Sequence, residues 1–319
     1  MAVNSTNTQQ AGLLNDHRDA FLNTRRSSDP KVSMAMDLGL SSDKRVETRA
    51  YYTAAPHAQF RAYGDPVNEG QFDSVKWDTP NHIYDLRLSW SKYDREDDLT
   101  QSLTEQARTG GASLAGTPER ALFDYINGTT LLMPSLQNAS DGLAAYSATT
   151  RFETAGGNIE AGHSFASSSG VRIAIYAAHN RFRQFKARGE PLHPEPVLDS
   201  SMLVIYSSAD NLTFAEAFNL PVVDNASGNA GISNILQAQL GGRIYTLWET
   251  SRLPAGTCVV FLSGAKKPFF MQTRTNMVES YGDDGNSDDA RGTGREYVQW
   301  EQRQGFGAGV MFGTIKITG

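Results

Sequence analysis

Arg181-Phe182-Arg183-Gln184-Phe185-Lys186-Ala187-Arg188-Gly189-Glu190-Pro191-Leu192, followed by Met202-Leu203-Val204-Ile205-Tyr206, lies within the stretch that decides the reading of this chain, Ser168 to Pro221. Its first part is a basic helix. Val171, Ile173, Ala174, Tyr176, Ala177, Phe182 and Phe185 supply apolar positions, with Arg172, Arg181, Arg183, Lys186 and Arg188 between them. The spacing predicts that this helix runs to Arg188, where Gly189 fits a left-handed closing position and Pro191 cannot continue a helix. Met202 to Tyr206 is apolar throughout and too short for a helix, so it is read as a buried strand. Ala209-Asp210-Asn211 then offers a cap for a second helix over Leu212 to Phe218. None of these residues forms a reaction centre. The string builds a wall.

Composition sets the bounds around that wall. With 319 residues and 39% hydrophobic content, the chain can bury one or two cores. The net charge of -6 argues against bulk attraction to nucleic acid or to an anionic membrane. The basic helix is read by default as a solvated face. A single cysteine, Cys258, excludes an internal disulfide framework and suits an intracellular assembly site; within Thr257 to Leu262 it reads as a buried core residue. Met1 to Gln10 is polar and lacks the apolar segment of a signal peptide, and no run approaches the ~18 apolar residues of a membrane span.

Outward from the wall, residues 1–45 read as a polar arm with one weak amphipathic piece, Leu13 to Leu22. Such a segment cannot offset its own ordering entropy and orders only against another surface. Residues 46–92 are rich in Arg, Tyr and Thr, with turn signals at Gly64-Asp65-Pro66 and Asp78-Thr79-Pro80. His82, Tyr84, Leu86, Leu88 and Trp90 alternate with Asp85, Arg87 and Ser89 as a strand with one apolar face. One long hairpin is expected over the whole segment. It has little core of its own and so needs a partner surface. Asp97 to Asn127 has helical spacing, with a break expected near Gly116 where Thr117-Pro118-Glu119 restarts it and an end at Gly128. Residues 129–167, rich in Ser, Ala, Gly and Thr, carry no clear period. Further strands are expected at Arg243 to Trp248, at Thr257 to Leu262, and from Lys267. Asp224 to Ser233 and Tyr281 to Gly294 read as loops. Near the C-terminus, Val298, Trp300, Phe306, Ala308, Val310 and Phe312 are expected to share one strand face.

Motifs of chemistry fail on their own terms. Gly162-His163-Ser164-Phe165-Ala166 lacks the second glycine of a nucleophile elbow and has no convincing strand before it. Asp284, Asn286 and Asp288 alternate like a calcium loop, but Asp289 replaces the turn glycine and Arg295 the final glutamate; a flexible acidic loop is the reading, with a looser divalent site as its alternative. Gly305-Phe306-Gly307-Ala308-Gly309 lies in a strand with no helix after it, so it is no dinucleotide fingerprint. The six histidines show no metal-ligand spacing. No catalytic, cofactor-binding or metal residue is assigned, and no enzyme activity or cofactor is expected.

The ordered set of features is similar to tailed-phage major capsid proteins of the Hong Kong 97 fold, and most of all to the Mu-like prophage major head subunit family. The resemblance is carried by Ser89 to Asp98 as the junction from strand to spine helix, and by Arg181 to Leu192 as a helix and turn. It is carried further by Leu203 to Tyr206 as the next strand, Lys267 to Gln272 as the return strand, and Glu296 to Gly307 as the closing strand. The polar insertion from Thr130 to Ser168 departs from the pattern. The resemblance implies an α+β capsid fold. Residues 1–45 would be an N-terminal arm and 46–92 an extended β-hairpin loop lying over a neighbour. Residues 93–128 and 263–319 would form a peripheral domain with a long spine helix, and 129–262 an axial α/β domain. It implies self-assembly into homo-pentamers and homo-hexamers of an icosahedral shell, a virion component assembled in the host cytoplasm. The implied partners are a separate scaffolding protein, a portal, a decoration protein and non-specifically contacted double-stranded DNA, with no membrane. Arg45, Arg49, Arg61 and Arg87 are the candidate inter-subunit contacts. The alternatives weighed are an encapsulin-like nanocompartment shell and, third, a hydrolase using Ser164.

Overall fold

The computed structural model describes residues 31–54, 73–91, 102–187, 190–192, 201–219, 245–263, 266–282 and 295–319. In chain order these form α1 (Val32–Ala35), β1 (Met36–Ser41), β2 (Val46–Ala54), β3 (Asp73–Pro80), β4 (His82–Ser91), α2 (Ser102–Ala115) and α3 (Thr117–Asn127). Then follow β5 (Ile159–Ala161), α4 (Ser168–Gln184), β6 (Lys186–Ala187), β7 (Glu190–Pro191), β8 (Met202–Ser207) and α5 (Asn211–Asn219). The chain closes with β9 (Tyr245–Thr250), β10 (Thr257–Leu262), β11 (Phe269–Gly282), β12 (Arg295–Ala308) and β13 (Thr314–Thr318).

Two sheets organise the body. One has strand order β1-β11-β12-β4 and the other β5-β13-β10-β8-β9. β8 and β10 are buried at every residue. Their side chains alternate between two cores. Met202, Val204, Cys258 and Val260 face α4 and α5, where they meet Ile175, Phe182 and Phe214. Leu203, Ile205, Val259 and Phe261 face the opposite way and meet Leu122, Phe123 and Ile126 of α3. A strand covered on both faces has no reason to alternate, which is why both sequences are uniformly apolar. The second core also takes in Met36, Phe269, Phe306 and Ala308 from the four-stranded sheet, so α3 joins the two sheets. A third, smaller core of Trp90, Leu103, Leu114, Val298 and Trp300 holds α2 to the outer part of that sheet.

The helices follow the sequence signals in part. The break falls at Gly116; Pro118 opens α3, and Gly128 closes it in the left-handed conformation at φ 71°. α4 starts from Ser167, whose Oγ accepts from the Gly170 N–H. It ends at Gln184, however, not at Arg188. Phe185 turns extended and packs edge-on to Phe182 and Phe152, while the Lys186 N–H donates to the Phe152 carbonyl at 3.0 Å. These tertiary contacts outweigh local propensity and lead into the short β6–β7 pair.

Further differences concern what pairs with what. Val32 to Ser41, read within the arm, packs instead on the body. Val32, Ala35 and Met36 are buried, and β1 lies parallel to β11. The hairpin comprises β2 and β3 only, a two-stranded sheet of its own, because β4 departs to pair antiparallel with β12. β4 alternates as expected, with Tyr84, Leu86, Leu88 and Trp90 inward. The face shared by Val298, Trp300, Phe306 and Ala308 stops at Ala308. Val310 and Phe312 enter the core under α4 through a short 3-10 turn, and β13 joins β10 and β5. The last strand therefore lies in the same sheet as β8 and β10, apart from β11 and β12 of segment 263–319. Asp210 does not cap α5 as expected. Its Oδ2 accepts from the Gly256 N–H at 2.9 Å, and Ser207 caps the preceding turn.

Candidate assembly surfaces

The root of the β2–β3 hairpin is held by hydrogen bonds more than by apolar packing. At its centre is Gln272 of β11, fully buried. Its Oε1 accepts from Arg49 Nη2 at 2.9 Å and Nε at 3.2 Å, and its Nε2 donates to the Thr79 carbonyl and to Asn81 Oδ1, each at 3.1 Å. Asn81 Nδ2 reaches on to Ser42 Oγ and the Lys44 carbonyl. The Arg49 guanidinium also lies 5.1 Å from the centroid of Phe270, whose ring packs beside Trp77. Gly305 is required here. A Cβ would lie 2.7 Å from the Pro80 carbonyl and 2.8 Å from Gln272 Nε2. The same holds for Gly307, where a Cβ would collide with the Phe270 ring.

The three candidate arginines among the described residues are dispersed. Arg49 serves the hairpin root within its own chain. Arg87 is exposed on β4 and stacks its guanidinium 3.6 Å from the centroid of Tyr297. Arg45 is exposed at the start of the hairpin, where its carbonyl accepts from the Asn81 N–H. Arg61 lies outside the described residues, as do the acidic loop at Asp284 to Asp288 and the loop from Asp224 to Ser233.

The basic helix has a structural employment that sequence did not reveal. Arg172 Nε and Nη2 donate to the Ala217 and Glu216 carbonyls, satisfying the C-terminal end of α5. Arg181 pairs with Glu160 and donates to the Ala155 carbonyl. Residues 139–158, which carried no period, are built around buried Arg151. Its Nη1 donates to the Ala145 carbonyl and Asn158 Oδ1, and its Nη2 to Asp141 Oδ1 and the Ala144 carbonyl. Burial pulls the guanidinium below its usual pKa, and the Asp141 carboxylate opposes that pull. The segment contains a tight reversal in which Arg151 and Thr154 pair, with Phe152 (φ 51°) and Glu153 (φ 56°) both left-handed.

Ser164 is exposed, and its Oγ accepts from the Ala166 N–H. Cys258 is fully buried, and burial pushes its thiol pKa well up. Among the described residues no group of three or more His, Cys, Asp or Glu could hold a metal ion, and no helix is long and apolar enough to cross a membrane.

The described residues also carry a groove and an exposed leucine. A groove of about 740 Å³ runs between α2 and β4, floored by Leu86 and Leu88 and walled by Glu105, Gln106, Thr109, Gly110 and Ser113. After α3, Leu131 stands 90% exposed on a loop tied to Asp124.

No family model matches the sequence. No curated protein matches it either. Among solved structures, the chain is similar to the capsid of cyanophage P-SCSP1u, with a TM-score of 0.58 at 11% identity over 89% of this chain and 86% of that one. It is similar to the mature capsid of bacteriophage PhiM1, with a TM-score of 0.58 at 11% identity over 92% and 87%. The capsid of the myovirus XM1 gives 0.53 at 14% identity over 90% of each chain. The fold is that of tailed-phage capsid shell proteins. At these identities the likeness is one of architecture, and it spans nearly the whole of both partners.

Proposed function

We propose that this chain is the major head protein of a tailed phage, closest in kind to the Mu-like head subunits, and that it assembles into pentamers and hexamers of an icosahedral shell around double-stranded DNA. The observation that carries this reading is the end-to-end likeness to capsid shell proteins, at about nine-tenths coverage of each chain. The β2–β3 hairpin supports it independently. A two-stranded ribbon is marginal in water, and this one is attached to the body at its root. A neighbouring copy is the natural surface to complete it. Residues 46–80 are then the extended loop. The four-stranded sheet with α2 and α3 is the peripheral domain, and the five-stranded sheet with α4 and α5 is the axial domain. Contacts between unlike patches close into rings when the rotation permits. Arg45, Arg61 and Arg87 are the candidates for pairing across copies, and the net charge of -6 suits a wall that contains DNA without holding it tightly. Scaffolding, portal and decoration proteins complete the assembly in the host cytoplasm.

Purification of particles from the native source tests the reading. A viral head predicts nuclease-protected DNA inside closed shells. Shells that hold a cargo protein and no genome would favour the nanocompartment alternative and refute the viral one.

A further inference from the structure

We propose that Asn127 is a modification site: a deamidating asparagine that the end of α3 holds shut, and whose conversion to aspartate or isoaspartate loosens the joint between the two sheets. Asn127-Gly128 is the one Asn-Gly pair in the chain. Such a pair is prone to cyclise, because glycine puts no side chain beside its own amide nitrogen and lets the backbone turn freely. The reaction needs only water. The Gly128 amide nitrogen gives up its proton to solvent base and bonds to Asn127 Cγ. Nδ2 takes up a proton and leaves as ammonia, and a five-membered succinimide remains. Water then opens the ring, at Cγ to give aspartate or at the Asn127 backbone carbonyl to give isoaspartate.

The folded chain opposes the first bond at each atom. The proton that must leave is held, because the Gly128 N–H donates to the Asp124 carbonyl. The leaving group is held as well, since Asn127 Nδ2 donates to the Arg252 carbonyl at 2.8 Å. Negative charge would develop on Asn127 Oδ1, which is buried and is reached by no donor among the described residues. Lys316 Nζ donates to the Ile126 carbonyl at 2.7 Å and so pins the same turn. All of these contacts sit in the last turn of α3, and a helix end opens far more readily than the whole fold. Fraying of that turn is the gate. The product cannot rebuild the lock. Aspartate only accepts, so the Arg252 carbonyl loses its donor and meets a carboxylate. The new charge stands at the carbonyl end of α3, the wrong end for an anion. Isoaspartate adds a carbon to the backbone and moves the Gly128 N–H away from Asp124. Ile126, one residue before the site, packs in the core that α3 shares with both sheets.

The full chain is incubated at mildly alkaline pH, folded and in urea. Peptide mapping follows Asn127, and a protein isoaspartyl methyltransferase reads isoaspartate. In urea Asn127 should convert ahead of the other asparagines, and in the folded chain at least about tenfold more slowly. Lys316→Met frees the Ile126 carbonyl and should raise the folded-state rate severalfold. Where that variant melts early, Thr129→Val, which removes the 2.8 Å donor to Asp124 Oδ1, takes its place. Asn127→Asp should melt below wild type and exchange amide hydrogens faster in the last turn of α3 and around Arg252. Equal rates in the folded chain and in urea, or a folded-state rate that neither variant raises, would overturn the gate. An Asn127→Asp chain that melts and exchanges like wild type would overturn the consequence. Each readout is made on the single chain, so failure here leaves the shell reading standing.

Discussion

Arg151→Met is the sharpest perturbation of the folded chain. Arg151 is 3% exposed and supplies the donors that fix residues 139–158. Its removal leaves the Asp141 carboxylate and the Ala144 and Ala145 carbonyls short of a donor at once. Asn158, fully buried, recovers part of the loss because its Nδ2 still reaches the Ala145 carbonyl at 2.9 Å. Breaking a buried ion pair from one side costs about 3–5 kcal/mol, since the remaining charge is stranded. Asp141 is 29% exposed, so water offsets some of that, and about 3 kcal/mol is expected. Urea unfolding, followed through the four tryptophans, reads it. With a slope of about 2–3 kcal/mol/M, the midpoint should fall by about 1–1.5 M. Arg151→Lys should recover less than half, because one ammonium cannot reproduce the planar fork. A midpoint within about 0.3 M of wild type, equivalent to under ~1 kcal/mol, would refute the claim that this guanidinium organises the segment.

Gly307→Ala should cost about 1–3 kcal/mol, because the new methyl displaces the Phe270 ring that supports Arg49 and Trp77; thermal melting measures the loss, and faster hydrogen exchange at the hairpin root should accompany it. Glu153→Gly should raise the melting free energy by about 0.5–1 kcal/mol, since it relieves a left-handed residue in the tight turn, with part of the gain returned as backbone entropy. Gln272→Leu should cost about 2–4 kcal/mol, read by urea unfolding, because Arg49 and the Thr79 carbonyl lose their partner inside a site with no exposure. Cys258 should resist maleimide in the folded chain and react within minutes in denaturant, because burial both hides the thiol and disfavours its thiolate.

The parts of the fold legible in sequence are those in which one local pattern decides. β8 and β10 announce themselves as unbroken apolar runs because both their faces are covered. β4 alternates because only one face is. Gly116 and Pro118 mark the division between α2 and α3 through backbone chemistry alone. The illegible parts are those in which distant polar partners decide. Arg151 meets Asp141 and Asn158 with no period to reveal it, and Arg49 finds Gln272 across 223 positions. Arg172 reads as a solvated charge, yet it closes a helix that comes much later in the chain. The early end of α4 depends on Phe185 turning toward Phe152, a contact invisible to helical spacing. Val310 and Phe312 continue the apolar rhythm of β12, but the chain has already crossed between sheets. Leu131 passed unremarked because its neighbours Leu132 and Met133 are core residues. Only the position of Asp124 distinguishes it.

The central claim is that copies of this chain complete one another. Electron microscopy of the purified protein at high concentration addresses it most directly. The account predicts uniform closed polyhedral shells whose averaged images carry five-fold and six-fold clusters. A homogeneous, well-folded single chain that stays solitary across concentration, salt and crowding would contradict it.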